Sequence, residues 1–240
     1  MERVEERVSD GAILGLVEVF LNQQVMDGMK CWIPEGGTPQ GAVLSPLLSN
    51  LYLDPLDHQR AGEGIERVRY ADDFVLLCRS REEAERALER VREWTAPAGL
   101  TLHPVKTRSV DETQEGFDFL GYHFQRGRRW PREKSRNKFR DTIRSKTRRT
   151  HGHSLQVIVA DVNRTLRGWF GYFKHSNQTT FREVDGWMRG RLRSLLRKRQ
   201  KRKGRGRGSD HQRWPNRFFA EPGLFSLVTA HRLACQSLQR

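Results

Sequence analysis

Cysteine is scarce: Cys31, Cys78 and Cys235 are the only three in 240 residues. An odd number spread so widely supports neither a disulfide framework nor a zinc cluster, and it points to reduced thiols in a cytoplasmic setting. Long apolar runs are missing too. No stretch approaches the roughly 18 residues of a membrane span, and Met1 to Arg7 lacks the apolar core of a signal peptide, so no membrane partner is expected. Acid is rare in one half only. Residues 126–240 hold 7 Asp and Glu against 31 Lys and Arg, net +24, whereas residues 1–125 hold 22 against 13, net −9. The boundary near Gln125 therefore separates an acidic module, 1–125, from a basic one, 126–240. A cationic surplus of that size is the footprint of a polyphosphate partner, bound largely through counterion release. With 36% hydrophobic residues the chain is lean, yet long enough for real cores.

What is present follows a readable order. Ile13, Leu14, Leu16, Val17, Phe20 and Leu21 recur at helical spacing after Ser9-Asp10, a suitable N-cap. Val25 to Ile33 reads as a weak strand, and Pro34 to Gly41 as a loop whose prolines and glycines forbid regular structure. Val43, Leu44, Leu47, Leu48, Leu51, Tyr52 and Leu56 then form a helical stripe, and Ser80-Arg81-Glu82-Glu83 opens another helix as a capping box. Leu100 to Leu102 reads as a strand, and Phe117 to Phe124 as a hairpin bending at Gly121.

Beyond Gln125 the pattern is basic helix. Residues 134–149 carry Arg144, Lys146, Arg148 and Arg149 with Phe139 and Ile143 facing inward; a second stripe runs Leu155, Val159, Val162, Leu166, Trp169, Phe173; a third has Val184, Trp187, Met188, Leu192 and Leu195, with Arg193, Arg197 and Lys198 around them. Three such stripes can share one core. The low-complexity run around 199–210 is expected to be flexible until it meets phosphate.

Asp72 and Asp73 stand at the centre of the acidic half. Val68 and Tyr70 alternate with Arg67 and Arg69 in the pattern of a half-buried strand, and Phe74 to Cys78 is a short apolar strand, so the two acids fall at the bend of a hairpin. The residues alone leave two readings: turn formers, since Asp hydrogen-bonds nearby backbone, or hard oxygen ligands for Mg²⁺.

Taken together, Pro39-Gln40-Gly41 with Ser45-Pro46, Tyr70-Ala71-Asp72-Asp73, Gly99-Leu100 with Lys106, and Phe119-Leu120-Gly121 resemble the later motifs of a reverse-transcriptase palm in their usual order. Leu166-Arg167-Gly168-Trp169-Phe170-Gly171-Tyr172-Phe173 and Gly223 to Leu227 resemble the thumb or maturase region of group II intron-encoded proteins. The resemblance implies an α+β fold, a partial palm followed by a helical thumb bundle. It also implies roles: Asp72 and Asp73 bind catalytic Mg²⁺, Lys106 is a proton donor beside the leaving phosphates, and Gln40 and Gly41 position template and incoming dNTP. Tyr70 and Ala71 lie beneath the primer end, Leu120 and Gly121 grip it, and the basic helices with Arg167 bind intron RNA or the RNA template and DNA primer.

Two departures qualify the match. Gln40-Gly41-Ala42 replaces the family's Gln-Gly-Gly, and the chain begins after the strand that would supply a further metal-binding Asp. The expectation is an N-terminally incomplete polymerase, inactive by itself, to which a separate fingers and first-palm polypeptide could be added. The other function class is a non-catalytic RNA-binding factor that assists intron splicing.

Overall fold

The computed structural model describes residues 1–32, 41–58, 65–202, 204 and 208–237. The chain divides into two compact units, Met1–Ser109 and Val110–Arg240, and both mix helix with antiparallel strands or are mainly helical, an α+β chain. The change of charge at Gln125 therefore lies inside the second unit rather than at its edge.

The first unit begins with a short helix, α1 (Glu2–Glu5), and α2 (Gly11–Leu21). Asp10 caps α2, its Oδ1 accepting from the amides of Ala12 (2.8 Å) and Ile13 (3.1 Å). Val17 is buried, whereas Ile13, Leu16 and Val19 stay exposed. The weak strand expected over 25–33 is instead two, β1 (Val25–Asp27) and β2 (Lys30–Trp32), an antiparallel hairpin turning through Gly28 at φ +62°. The run Val25 to Trp32 is interrupted by Gly28-Met29, a two-residue turn whose first position takes glycine's positive φ. Helix α3 (Ser45–His58) buries Leu56 completely, and leaves Val43 just before it and Leu47 and Tyr52 within it exposed. Strands β3 (Glu66–Tyr70) and β4 (Asp73–Leu77) pair antiparallel, with Tyr70 opposite Asp73.

Helix α4 (Arg81–Thr95) follows, capped by Ser80, whose Oγ accepts from the Glu83 amide at 3.2 Å. Glu83 answers by accepting from the Arg79 amide, one residue before the usual reciprocal donor. No strand forms at Leu100–Leu102: this segment is irregular, and His103 organises the turn after it, its Nδ1 taking the amides of Val105 and Lys106 and its carbonyl the amide of Thr107.

The second unit opens on a three-stranded meander, β5 (Phe117–Phe119), β6 (Tyr122–Gln125) and β7 (Arg128–Pro131). Leu120 and Gly121, at φ +47° and +80°, make the tight turn between β5 and β6. Two successive positive φ values match the right-handed twist of flanking strands. Three helices follow, α5 (Glu133–Lys146), α6 (Leu155–Phe173) and α7 (Gln178–Arg199). As the stripes indicate, they share one core: Phe139 and Ile143 meet Val159, Val162 and Leu166, together with Phe181, Met188, Leu192 and Leu195.

A short α8 (Ser209–Arg213), a 3₁₀ turn (Asn216–Phe219) and α9 (Leu227–Ser237) close the unit, with Trp214, Phe219 and Leu227 buried in the same core. Two side chains receive this last piece. Asn163 donates to the Gly223 carbonyl and accepts from the Phe225 amide, both at 2.8 Å; buried Asp185 accepts from Ser226 Oγ (2.8 Å) and the Leu227 amide (3.0 Å) at the start of α9. The run expected to be flexible is helical at both ends, since Arg199 completes α7 and Ser209 begins α8; residues 203 and 205–207 lie outside the described residues. The Arg197–Asp210 ion pair at 2.7 Å, with the Asp210 side chain fully buried, ties the two ends together.

Candidate functional site

The β3–β4 hairpin gathers four expected site residues in consecutive positions. Tyr70 ends β3, Ala71 and Asp72 form the turn, and Asp73 begins β4. Ala71 is left-handed, at φ +54°. For a residue with a β-carbon that conformation costs roughly 1–2 kcal/mol. The turn thus holds a strained residue immediately before the first aspartate.

Asp72 and Asp73 are exposed, and no hydrogen bond or ion pair occupies either carboxylate among the described residues. Two adjacent, unengaged hard-oxygen donors fit Mg²⁺, which commonly takes one or two carboxylates and completes its sphere with water and substrate phosphates. No group of three or more metal-ligating side chains occurs among the described residues.

The strand leading to this turn has the opposite phase from a simple apolar alternation. Arg67 and Arg69 are the half-buried residues, whereas Val68 and Tyr70 are 41% and 67% exposed. The reason is the polar face that α3 presents. Arg69 Nε donates to both oxygens of Asp57 (2.8 and 2.9 Å), Nη2 also donates to Asp57, and Nη1 donates to Asn50 Oδ1 and to the Ala71 carbonyl, each at 2.9 Å. These bonds hold the Asp57 carboxyl below the usual carboxylate range. Burial lowers the pKa of Arg67, opposed by the attraction of the same Asp57. Asn50 and Asp57 stand seven residues apart, two helical turns, and so share a face of α3; the alternation in β3 does not reveal that face.

The remaining candidates of the first unit are separate in bonding. Gly41, at φ +90°, precedes α3, and Lys106 is an exposed turn residue. Neither is hydrogen-bonded to the Asp72 hairpin among the described residues, and Gln40 lies outside them.

In the second unit the Leu120–Gly121 turn is fastened from within. Tyr172 Oη donates to the Leu120 carbonyl (2.8 Å), and the Gly121 carbonyl accepts from the Arg132 amide (2.9 Å) and Ser135 Oγ (3.1 Å). Tyr122 Oη returns a bond to the Tyr172 carbonyl at 2.6 Å.

The basic residues divide by what they touch. Arg144, Arg148, Arg149, Arg167 and Lys198 are exposed, and Arg167 lies 5.0 Å over the Phe225 ring. Three others expected on the nucleic-acid surface also bond within the fold. Arg193 is 3% exposed, donating to the Trp214 carbonyl (2.9 Å) and Asn216 Oδ1 (2.8 Å) over the Phe219 ring. Lys146 pairs with Asp161 at 2.7 Å, and Arg197 with Asp210. A cation becomes buried where carbonyls and carboxylates can satisfy its donors, a circumstance that sequence spacing does not encode.

Arg191 was not singled out by its pattern, yet it fixes the α5–α6 connection. It donates to Thr147 Oγ1 and the Thr147 carbonyl, and at 3.4 Å to the Arg144 carbonyl. Burial and the nearby charges of Arg144 and Arg149 lower its pKa. Arg144 and Arg149 thus lie near Arg191 at this connection, Arg144 being paired with Asp141 at 2.7 Å.

Comparison with known proteins gives two family matches. Residues 16–124 match the family model for reverse transcriptase (RNA-dependent DNA polymerase), and residues 136–214 match the model for the group II intron maturase-specific domain. Protein YkfC of Escherichia coli (strain K12) is 29% identical, over 57% of this chain and 48% of YkfC. The chain thus spans about half the length of that relative. Among the described residues, no helix is long and apolar enough to cross a membrane. With the reverse-transcriptase match spanning the Asp72 hairpin and the maturase match on the basic helices that follow, the chain belongs to the group II intron reverse transcriptase and maturase family.

Proposed function

We propose that this chain supplies part of an RNA-directed DNA polymerase site together with an RNA-binding maturase module. The observation that carries the first half is the unengaged Asp72–Asp73 pair on a tight hairpin, inside the reverse-transcriptase match. Asp72, with Asp73 beside it, would hold Mg²⁺, which when bound polarises the attacking 3′-hydroxyl and neutralises charge on the leaving phosphates. Tyr70 and Ala71 would support the primer end, Gly41 and Gln40 the template and dNTP, and Leu120–Gly121 the primer strand. Lys106, exposed in its turn, would give a proton to the leaving group.

The described residues offer two adjacent carboxylates and no third near them. The expected result for this chain alone is therefore no primer extension. Adding a separately expressed fingers and first-palm polypeptide from a relative should restore Mg²⁺-dependent extension on an RNA template. Asp72→Ala should then cut the rate about a thousandfold, the equivalent of a several-kcal/mol metal contribution. Extension that survives Asp72→Ala overturns the polymerase reading.

The exposed cations of the second unit favour a second role, binding intron RNA so that it folds and splices. A-form RNA is recognised chiefly through phosphates and 2′-hydroxyls, which suits arginines on helices and loops. Replacing Arg148 and Arg149 together by alanine should weaken binding of a group II intron RNA about tenfold in a filter assay at fixed salt. Equal affinity for the intron and for an unrelated RNA of the same length would argue against a maturase role.

A further inference from the structure

We propose that Arg69 is a positioning residue for the metal-binding turn: its guanidinium ties the Ala71 carbonyl to α3 and so fixes where Asp72 is presented. This rests on the reading of Asp72 as a metal ligand. The turn contains a left-handed alanine, a conformation that needs something to hold it. The hold is visible. One Arg69 nitrogen, Nη1, bonds both the Ala71 carbonyl and Asn50 Oδ1 at 2.9 Å, while Nε and Nη2 grip Asp57.

A guanidinium is planar and its five donors keep a fixed fork, so the arm on Ala71 cannot move unless the arms on Asp57 move with it. The Arg69 side chain is only 12% exposed, which leaves water little access to compete for these bonds. The Arg69 bond lowers the pKa of the carboxyl that anchors the fork. Helix α3 is also the element that begins just after Gly41. Arg69 therefore links α3 to the carbonyl preceding Asp72.

The test is Mn²⁺ binding to the full chain, read by electron paramagnetic resonance, with circular dichroism to confirm folding. Asp72→Ala should weaken binding, as the underlying reading requires. Arg69→Ala should weaken it about tenfold relative to the parent chain, and Arg69→Lys nearly as much, because an ammonium cannot bridge Asp57 and the carbonyl together. Combining Arg69→Ala with Ala71→Gly should recover most of the loss, since glycine adopts positive φ without a brace. A residue that merely stabilised the unit would not be rescued at that position.

Unchanged Mn²⁺ affinity in Asp72→Ala overturns the metal-site reading itself. Weakened affinity in Asp72→Ala with parental affinity in folded Arg69→Ala overturns the positioning role alone. Should Arg69→Ala fail to fold, Asn50→Ala, which removes one anchor and leaves the others, carries the test: parental affinity there overturns the inference, and a loss recovered by Ala71→Gly supports it.

Discussion

Asp185→Ala is expected to destabilise the second unit by roughly 3 kcal/mol or more, read as a shift of the urea unfolding midpoint. The carboxylate is 4% exposed and accepts from Ser226 Oγ and the Leu227 amide, with the Val228 amide at 3.5 Å and Arg189 at 3.6 Å. It is an N-cap delivered from another helix, α7 capping α9. Alanine would leave the Leu227 amide without its acceptor at a residue that is 0% exposed, and would leave Arg189 without its anion. Asp185→Asn keeps the shape and one acceptor oxygen, so about half the loss is expected. A midpoint shift worth less than about 1 kcal/mol for Asp185→Ala would mean that apolar contact alone docks α9.

Gly116→Ala should cost a comparable amount, roughly 2–5 kcal/mol, by adding strain to overpacking. Gly116 enters β5 at φ +73°, and a β-carbon there would lie 2.4 Å from the Phe124 carbonyl oxygen, 2.8 Å from His123 Nε2 and 2.9 Å from Gln125 Cβ. The nearest of these is backbone of β6. It can recede only by disturbing the pairing of Phe117 with Phe124. Gly152→Ala is the internal control: nothing lies within 4 Å of its added carbon, so its midpoint should move by no more than about 0.5 kcal/mol. Equal midpoints for the two variants would contradict the close approach at Gly116.

The helical bundle was legible because its signal is redundant. Phe139 and Ile143 on α5, Val162 and Leu166 on α6, and Met188 and Leu192 on α7 each repeat one helical turn apart, so burial follows from period alone. Asp10 and Ser80 marked helix starts for the same local reason, a short acceptor before an apolar stripe.

The first unit was less legible where polar groups choose the inside. Arg69 turns inward because Asn50 and Asp57 wait on α3, and a valine–arginine alternation carries no record of that partner. Arg193 is the same lesson in the bundle: its arginine-rich context suggested a surface, yet the Trp214 carbonyl and Asn216 side chain satisfy it inside. The Asp72–Asp73 pair, by contrast, was readable from its motif, while the guanidinium behind it was read as the outward side of the strand.

The trans cap on α9 has a consequence for the order in which the second unit assembles. Asn163 and Asp185 wait for partners 60 and 42 residues further along the chain. On a ribosome both polar anchors, and the Phe181 ring that lies 4.8 Å from His231, emerge before anything exists to cover them. The bundle therefore passes through a stage in which its helices are made but one apolar groove is wet, a stage when aggregation competes with closure. Docking of the last helix is the event that ends it.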